Sequence, residues 1–504
     1  MNSDEVIEGS DCNMVRKPDT AELMDLRFRR CKSVTRAEEI QYEEQKIRKA
    51  QPDHPCHQPR DSLFSWSSGF HDFTGFMNLS FLLLLLGGLR LFLENIIKYG
   101  IRIDPSQWQV VLMSQSSEFQ NQYPSLYLLT GSHIQVLFTL GVEKLLAGEW
   151  LGERLGLVLH VISLLVFVTI PIVVINFISP HDYSMLGATA VCTVYCILFL
   201  KLWSFVHVNS WCRAAERKGS RHRHKRRRSL SINVASGKMA DGPHGQQELV
   251  KYPDNLTLKS IYYFICAPTL CYELNFPRSS RIRKRFLLKR ILEVIIGLNV
   301  ILSLFQQWII PSVKNSLIPF SQMDPLRGAE RLLKLAVPNH LLWLIWFYLF
   351  FHAFFNMIGE LTCFADRNFY GDWWNSENLG HFWRSWNLPV HRWALRHLYT
   401  PLTQMGFGRF QASVAVFFLS AFFHEYLVSV PLRIFKVWAF TGMMSQLPLS
   451  QLSLWIEKKF GGRWANVMVW ASVILGQPLC IMMYYHDYII VHFGPDLLEQ
   501  FSKL

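Results

Sequence analysis

Residues 155–178 read LGLVLHVISLLVFVTIPIVVINFI, an apolar run without a single Asp, Glu, Lys or Arg. No other feature limits the fold as strongly. As a helix, such a run crosses a hydrocarbon layer of about 30 Å. In hydrocarbon, only helices and closed barrels satisfy every backbone polar group. Similar runs lie at Phe76–Leu93, Met185–Val206, Ile291–Ile310, Leu341–Ile358, Val414–Leu432 and Val467–Met483, and weaker ones at Leu126–Leu146 and Val437–Trp455. They predict an all-α polytopic membrane protein of about nine transmembrane helices, with amphipathic helices at the interface.

The net charge of +13 is concentrated in a few places. Lys and Arg crowd the first 36 residues, the stretch 213–228 (RAAERKGSRHRHKRRR) and 278–290 (RSSRIRKRFLLKR), with a smaller group in 384–409. With about nine spans and a cytosolic N-terminus, all four fall on one side, as positive-inside topology requires. The flanking spans make RHRHKRRR a topology or anionic-lipid signal and argue against a nucleic-acid partner. The first 60 residues are polar and show no cleavable signal peptide. The 10 cysteines have no spacing that suggests disulfides or a metal site.

Four segments follow. Residues 1–60 read as a disordered cytosolic tail. Residues 61–208 hold the first four spans. Residues 209–285 form a cytosolic loop whose middle, INVASGKMADGPHGQQ, reads as a flexible linker. Residues 286–504 hold the remaining spans and a Trp-rich interfacial segment, 364–411.

Three constellations can carry chemistry. First, His424 and Glu425 stand together inside the run SAFFHEYLVSVPL. Ionisable groups at membrane depth are costly and tend to face a cavity or bundle interior. Offsets of 7 and 11 place Ser413, Ser420 and His424 on one helical face, and Pro431 disturbs the helix near its end. Position 428 is Val, so the H-E-x-x-H zinc motif is not met. Second, residues 369–393, FYGDWWNSENLGHFWRSWNLPVHRW, mix five tryptophans with Asp372, Asn375, Glu377, Arg384 and His391. Indoles suit an interface, where the ring is buried and the N–H stays wet. Third, the last span carries Gln477 before Pro478, then YYHDY at 484–488. On residues alone, His424 serves equally as a general base for acyl transfer or as a relay in a proton-coupled transporter.

The strings FYGDWWN, WNLPVHRW, HEYLVSVPLR, AFTGMM and LGQP closely resemble the membrane-bound O-acyltransferase family, and within it the branch that esterifies diacylglycerol from acyl-CoA. The resemblance covers roughly residues 60–492. It implies a reaction chamber within the membrane, with His424 as general base and Glu425 as the acid beside it. It implies that Asn387 supports the active-site geometry, Gln477 is an amide at the reaction centre, and Met443 lies near the thioester. For substrate binding it implies Phe369, Tyr370, Asp372, Trp373, Trp374 and Asn375, together with Trp386, His391, Tyr399, Arg409 and Ser420. Arg409 is the one cation in TPLTQMGFGRFQAS. The resemblance further implies an endoplasmic-reticulum membrane enzyme that forms homo-oligomers, dimers or tetramers. Acyl-CoA would be a co-substrate, and no resident cofactor or metal is implied. The related alternative is a sterol O-acyltransferase.

Overall fold

The computed structural model describes residues 74–105, 124–178, 183–229, 250–317 and 324–493. The expectations for 1–60 and for the linker at 230–249 fall outside these residues. The chain divides into two compact units, Met1–Leu86 and Gly87–Leu504. In the first, the described residues belong to the first turns of helix α1 (Thr74–Tyr99).

All the regular secondary structure described in the second unit is helical, joined by loops and one isolated bridge between Arg278 and Phe364. Helices α2 (Pro124–Ala147), α3 (Glu153–Val173), α4 (Met185–Ser229) and the short α5 (Leu258–Cys266) form its first layer. α6 (Lys284–Leu304) and α7 (Pro325–Phe347) follow. Then come α8 (Leu379–Trp386), α9 (Leu388–Ala394), α10 (Arg409–Leu432), α11 (Trp438–Met444), α12 (Gln446–Phe460) and α13 (Gly462–Phe493). α10 packs on α4 and α11, while α13 packs on α7, α11 and α12.

The burial pattern is that of a protein in lipid. On α3, Gly156, His160, Leu164, Phe167 and Pro171 recur at helical spacing and are buried, while Leu157, Val158, Ile162, Leu165 and Val166 face outward. Within the apolar core of this layer one ionic cluster is buried. Arg213 of α4 reaches Glu143 of α2 and donates to Glu153 at 3.0 Å, and His160 stands 3.1 Å from Glu143. Pro171 lacks an N–H to offer the preceding turn, and a π-helical turn, Val174–Ile178, follows it.

Seven helices are long and apolar enough to cross a membrane, by length and composition among the described residues. The expected nine are not reached, and two segments make the difference. Val437–Trp455 is divided between α11 and α12, because Pro448 cannot donate to the carbonyl of Met444 and neither piece is long enough to span. Ile291–Ile310 lies on α6 and the π-turn Phe305–Ile309, and is not among the seven. α6 nevertheless packs closely on the helix after it: a Cβ at Gly297 would fall 2.5 Å from Leu349 Cδ1.

The segment 250–283 is more than a connecting loop. Ile261, Phe264 and Tyr272 are fully buried in the main core beside Leu202 and Phe205 of α4. The buried Lys201 donates to the carbonyls of Phe264, Ile265 and Ala267, filling acceptors that the end of α5 leaves open.

Candidate active site

α10 carries His424 in its C-terminal half. Phe423, Tyr426 and Val430 bury one side of this helix in the core that α4 shares, and His424 turns elsewhere. It keeps free surface although protein crowds it closely. Its Nδ1 lies 2.7 Å from the carbonyl oxygen of Ser420 and 3.4 Å from the Ser420 hydroxyl. A carbonyl only accepts, so Nδ1 carries the proton of the neutral ring. Nε2 is then left with its lone pair and, among the described residues, no partner. The arrangement gives an imidazole whose tautomer and direction are set by its own helix.

Glu425 does not serve that ring. Its carboxylate accepts from the Ser429 hydroxyl, from Tyr484 Oη at 2.8 Å and from the Phe440 N–H at 2.9 Å. Consecutive helical residues point about 100° apart, and here the two neighbours serve different contacts. Met443 sits half-buried on α11, the helix that begins at this carboxylate. Gln477 lies on α13 seven residues before Tyr484, hence on the same face and about 10 Å along the axis. Its Oε1 accepts from Asn339 Nδ2 of α7 at 3.3 Å.

The two Trp-rich strings come together. Gly371 N–H donates to the Ser385 carbonyl at 2.8 Å, and Leu388 N–H to the Phe369 carbonyl at 3.1 Å. Trp386 stacks on Trp343 at 4.5 Å with the planes 5° apart, and Trp373 meets both edge-on. Phe369 is buried, and Tyr370 Oη lies 2.9 Å from His352 Nδ1. Asp372, Trp374 and Asn375 stay exposed around a single 3-10 turn, which Asn466 of α13 holds through the Trp374 and Ser376 carbonyls. Asn387 is the N-cap of α9: its Oδ1 accepts from Val390 N–H at 3.2 Å, and Pro389 sits in the first turn. His391 follows on that helix. Burial, then the nearby Arg384 and Arg392, push its pKa below the ordinary histidine range. Tyr399 is half-buried at the end of a π-turn, and Arg409 opens α10 at an exposed position.

Sequence reasoning passed over the buried His397. Its Nε2 lies 2.7 Å from the Ser204 hydroxyl and its Nδ1 3.1 Å from His207 Nδ1. Ser204 Oγ also accepts from Tyr272 N–H at 2.8 Å. Burial first, then His207 and Arg396, push His397 down to about 3. No motif announces this cluster, because its members lie on three separate segments. Asn339 was missed for the same reason.

These features define a multi-pass membrane protein with a histidine whose ring is directed by one long helix. Residues 145–486 match MBOAT, the membrane-bound O-acyltransferase family, and the chain belongs to that family. It is therefore an acyltransferase. It is similar to diacylglycerol O-acyltransferase 1 of Bos taurus, at 48% identity over 438 residues, 87% of this chain and 85% of that protein. The protein of the same name from Homo sapiens is 46% identical over 444 residues, covering 88% and 86%. That from Arabidopsis thaliana is 34% identical over 439 residues, covering 86% and 78%.

Proposed function

We propose that this enzyme transfers the acyl group of acyl-CoA to the free hydroxyl of diacylglycerol, making triacylglycerol, with His424 as general base. The observation that carries the base assignment is the Nδ1 contact to the Ser420 carbonyl, which leaves Nε2 to accept a proton. The relatives' names and the length of the match support the acceptor.

In this mechanism the acceptor oxygen attacks the thioester carbonyl while its proton passes to Nε2. Collapse of the tetrahedral intermediate breaks the C–S bond, and the imidazolium returns the proton to sulfur. Coenzyme A and triacylglycerol leave, and the ring is neutral again. The Gln477 amide, oriented by Asn339, is the donor we assign to the developing oxyanion or to an ester carbonyl of the acceptor. The reaction needs acyl-CoA as co-substrate and no resident cofactor.

We place the enzyme in the endoplasmic-reticulum membrane as a homo-oligomer, with a cytosolic N-terminus. α6 completes this topology as a further crossing. It turns Leu288, Leu292, Ile295, Ile296 and Leu298 outward, as α3 does with its lipid-facing residues. That crossing keeps 384–409 on the side of the other basic segments. His391, Arg392, Arg396 and Arg409 then stand where the coenzyme A phosphates arrive from the cytosol.

The test is a competition assay with purified protein, one labelled acyl-CoA, and diacylglycerol and cholesterol offered together. Triacylglycerol is the expected product. Cholesteryl ester as the dominant product would move the enzyme to the sterol-esterifying branch.

A further inference from the structure

α11 has seven residues, too few for a helix to be stable alone. Its position is therefore imposed by its surroundings. The N–H groups of Ala439 and Phe440 lie in its first turn, where no carbonyl of the helix can accept them. Val437, the residue ahead of it, provides no side-chain cap. Two other helices supply the acceptors. Phe440 N–H donates to the Glu425 carboxylate of α10 at 2.9 Å, and Ala439 N–H donates to Tyr484 Oη of α13 at 3.0 Å.

Tyr484 closes the loop. Its hydroxyl accepts from Ala439 and lies 2.8 Å from both oxygens of Glu425, so its single proton bonds the carboxylate. One hydroxyl thus ties α10, α11 and α13 at a point. A turn further along α13, Asp487 accepts from Trp438 Nε1 at 2.8 Å. At the other end of α11, the backbone comes close to α13: a Cβ at Gly442 would lie 3.5 Å from Cys480 Sγ. Against α10, Phe440 meets Phe418 edge-on at 5.5 Å.

We propose that Tyr484 is a positioning residue for acyl transfer. With Glu425 it seats the first turn of α11 between α10 and α13, and so fixes where Met443 stands relative to His424. Glu425 then matters to the reaction as the acceptor that holds α11, and its place beside His424 puts the seat of α11 and the base on one rigid helix. The proposal rests on the reading of His424 as the base.

Tyr484→Phe removes one hydroxyl and keeps the buried ring. It should lower kcat about tenfold, the effect of one lost hydrogen bond to a charged group. KM for acyl-CoA should stay within about twofold, since a fault confined to transition-state geometry lowers kcat and leaves substrate binding intact. Glu425→Gln should lower kcat as well, and the double variant should be little worse than either single one, because both act through the same turn.

A structural readout separates positioning from general damage. With Gly442→Cys, the new thiol stands within disulfide reach of Cys480, and diamide takes up the two electrons and two protons released as the bond forms. Cross-linking should be rapid with Tyr484 present and clearly slower in Tyr484→Phe. Wild-type kcat in Tyr484→Phe overturns the proposal, as do additive losses in the double variant or cross-linking unchanged beside a reduced kcat. Failure of the base reading looks different: His424→Ala would keep its turnover, while cross-linking would still respond to Tyr484→Phe.

Discussion

Replacing Trp386 by Ala gives a loss that can be worked out from its neighbours. The indole lies 4.5 Å from Trp343, 4.8 Å from Phe347, 5.2 Å from Trp373 and 5.3 Å from Phe351, between centroids. Truncating a packed Trp costs about 3–5 kcal/mol through lost burial and the cavity left behind. Trp386 is half-buried, which puts the expected loss near the lower end, about 3 kcal/mol. For a chain of this size that is a fall in Tm of about 3 °C. Trp386→Phe keeps one ring in the stack and should recover more than half of the loss. The assay is thermal unfolding of purified protein in detergent, with turnover measured per folded molecule. Trp386 holds the FYGDWWN and WNLPVHRW strings together, so Trp386→Ala should lose turnover as well as stability. A Tm within about 1 °C of wild type and full turnover would refute the argument that this stack sets the site.

Three further outcomes follow from the same structure. Asn255 begins the sequon Asn255-Leu256-Thr257 but is buried, with Nδ2 donating to Asn209 Oδ1 at 2.8 Å and to Tyr272 Oη at 3.1 Å; glycosidase treatment should leave its mobility unchanged, and a shift traced to Asn255 would contradict both the fold and a cytosolic placement. His397 stays neutral in the fold with a pKa pushed down to about 3, while the unfolded chain binds its proton near 6.5, so its contribution to stability is complete above about 6.5 and fades as pH falls towards 3. His397→Gln should flatten the fall in Tm over that range, and an unchanged pH profile would count against the assignment. Asn387→Ala should cost about 1 kcal/mol by removing the α9 cap, and Asn387→Ser, which restores a capping oxygen, should regain that stability in a denaturation series.

Much of the helical layout could be read from the sequence because lipid-facing helices need apolar side chains all round. Leu155–Ile178 and Val414–Leu432 stand out for that reason and lie on α3 and α10. Val437–Trp455 looked like a span because its composition hides the break at Pro448. The face shared by Ser420 and His424 was legible too, since both lie on one helix and helical periodicity alone brings them together. Glu425 shows where such reasoning stops. Its partners, Phe440 and Tyr484, lie 15 and 59 residues away, and adjacency to His424 in the chain says nothing of a turn closed by another helix. Lys201 was hidden in the same way. Its ammonium ends on carbonyls more than 60 residues distant, which no local pattern encodes.

The central claim is that the His424 imidazole takes the proton of the acceptor hydroxyl. Single-turnover kinetics of purified His424→Ala, with labelled acyl-CoA and diacylglycerol, test it most directly when Tm is recorded on the same sample. A positioned base supplies about 10²–10⁴-fold, so acyl transfer should slow by at least about 100-fold with Tm close to wild type. A variant that folds normally and transfers the acyl group at a near wild-type rate would contradict the account.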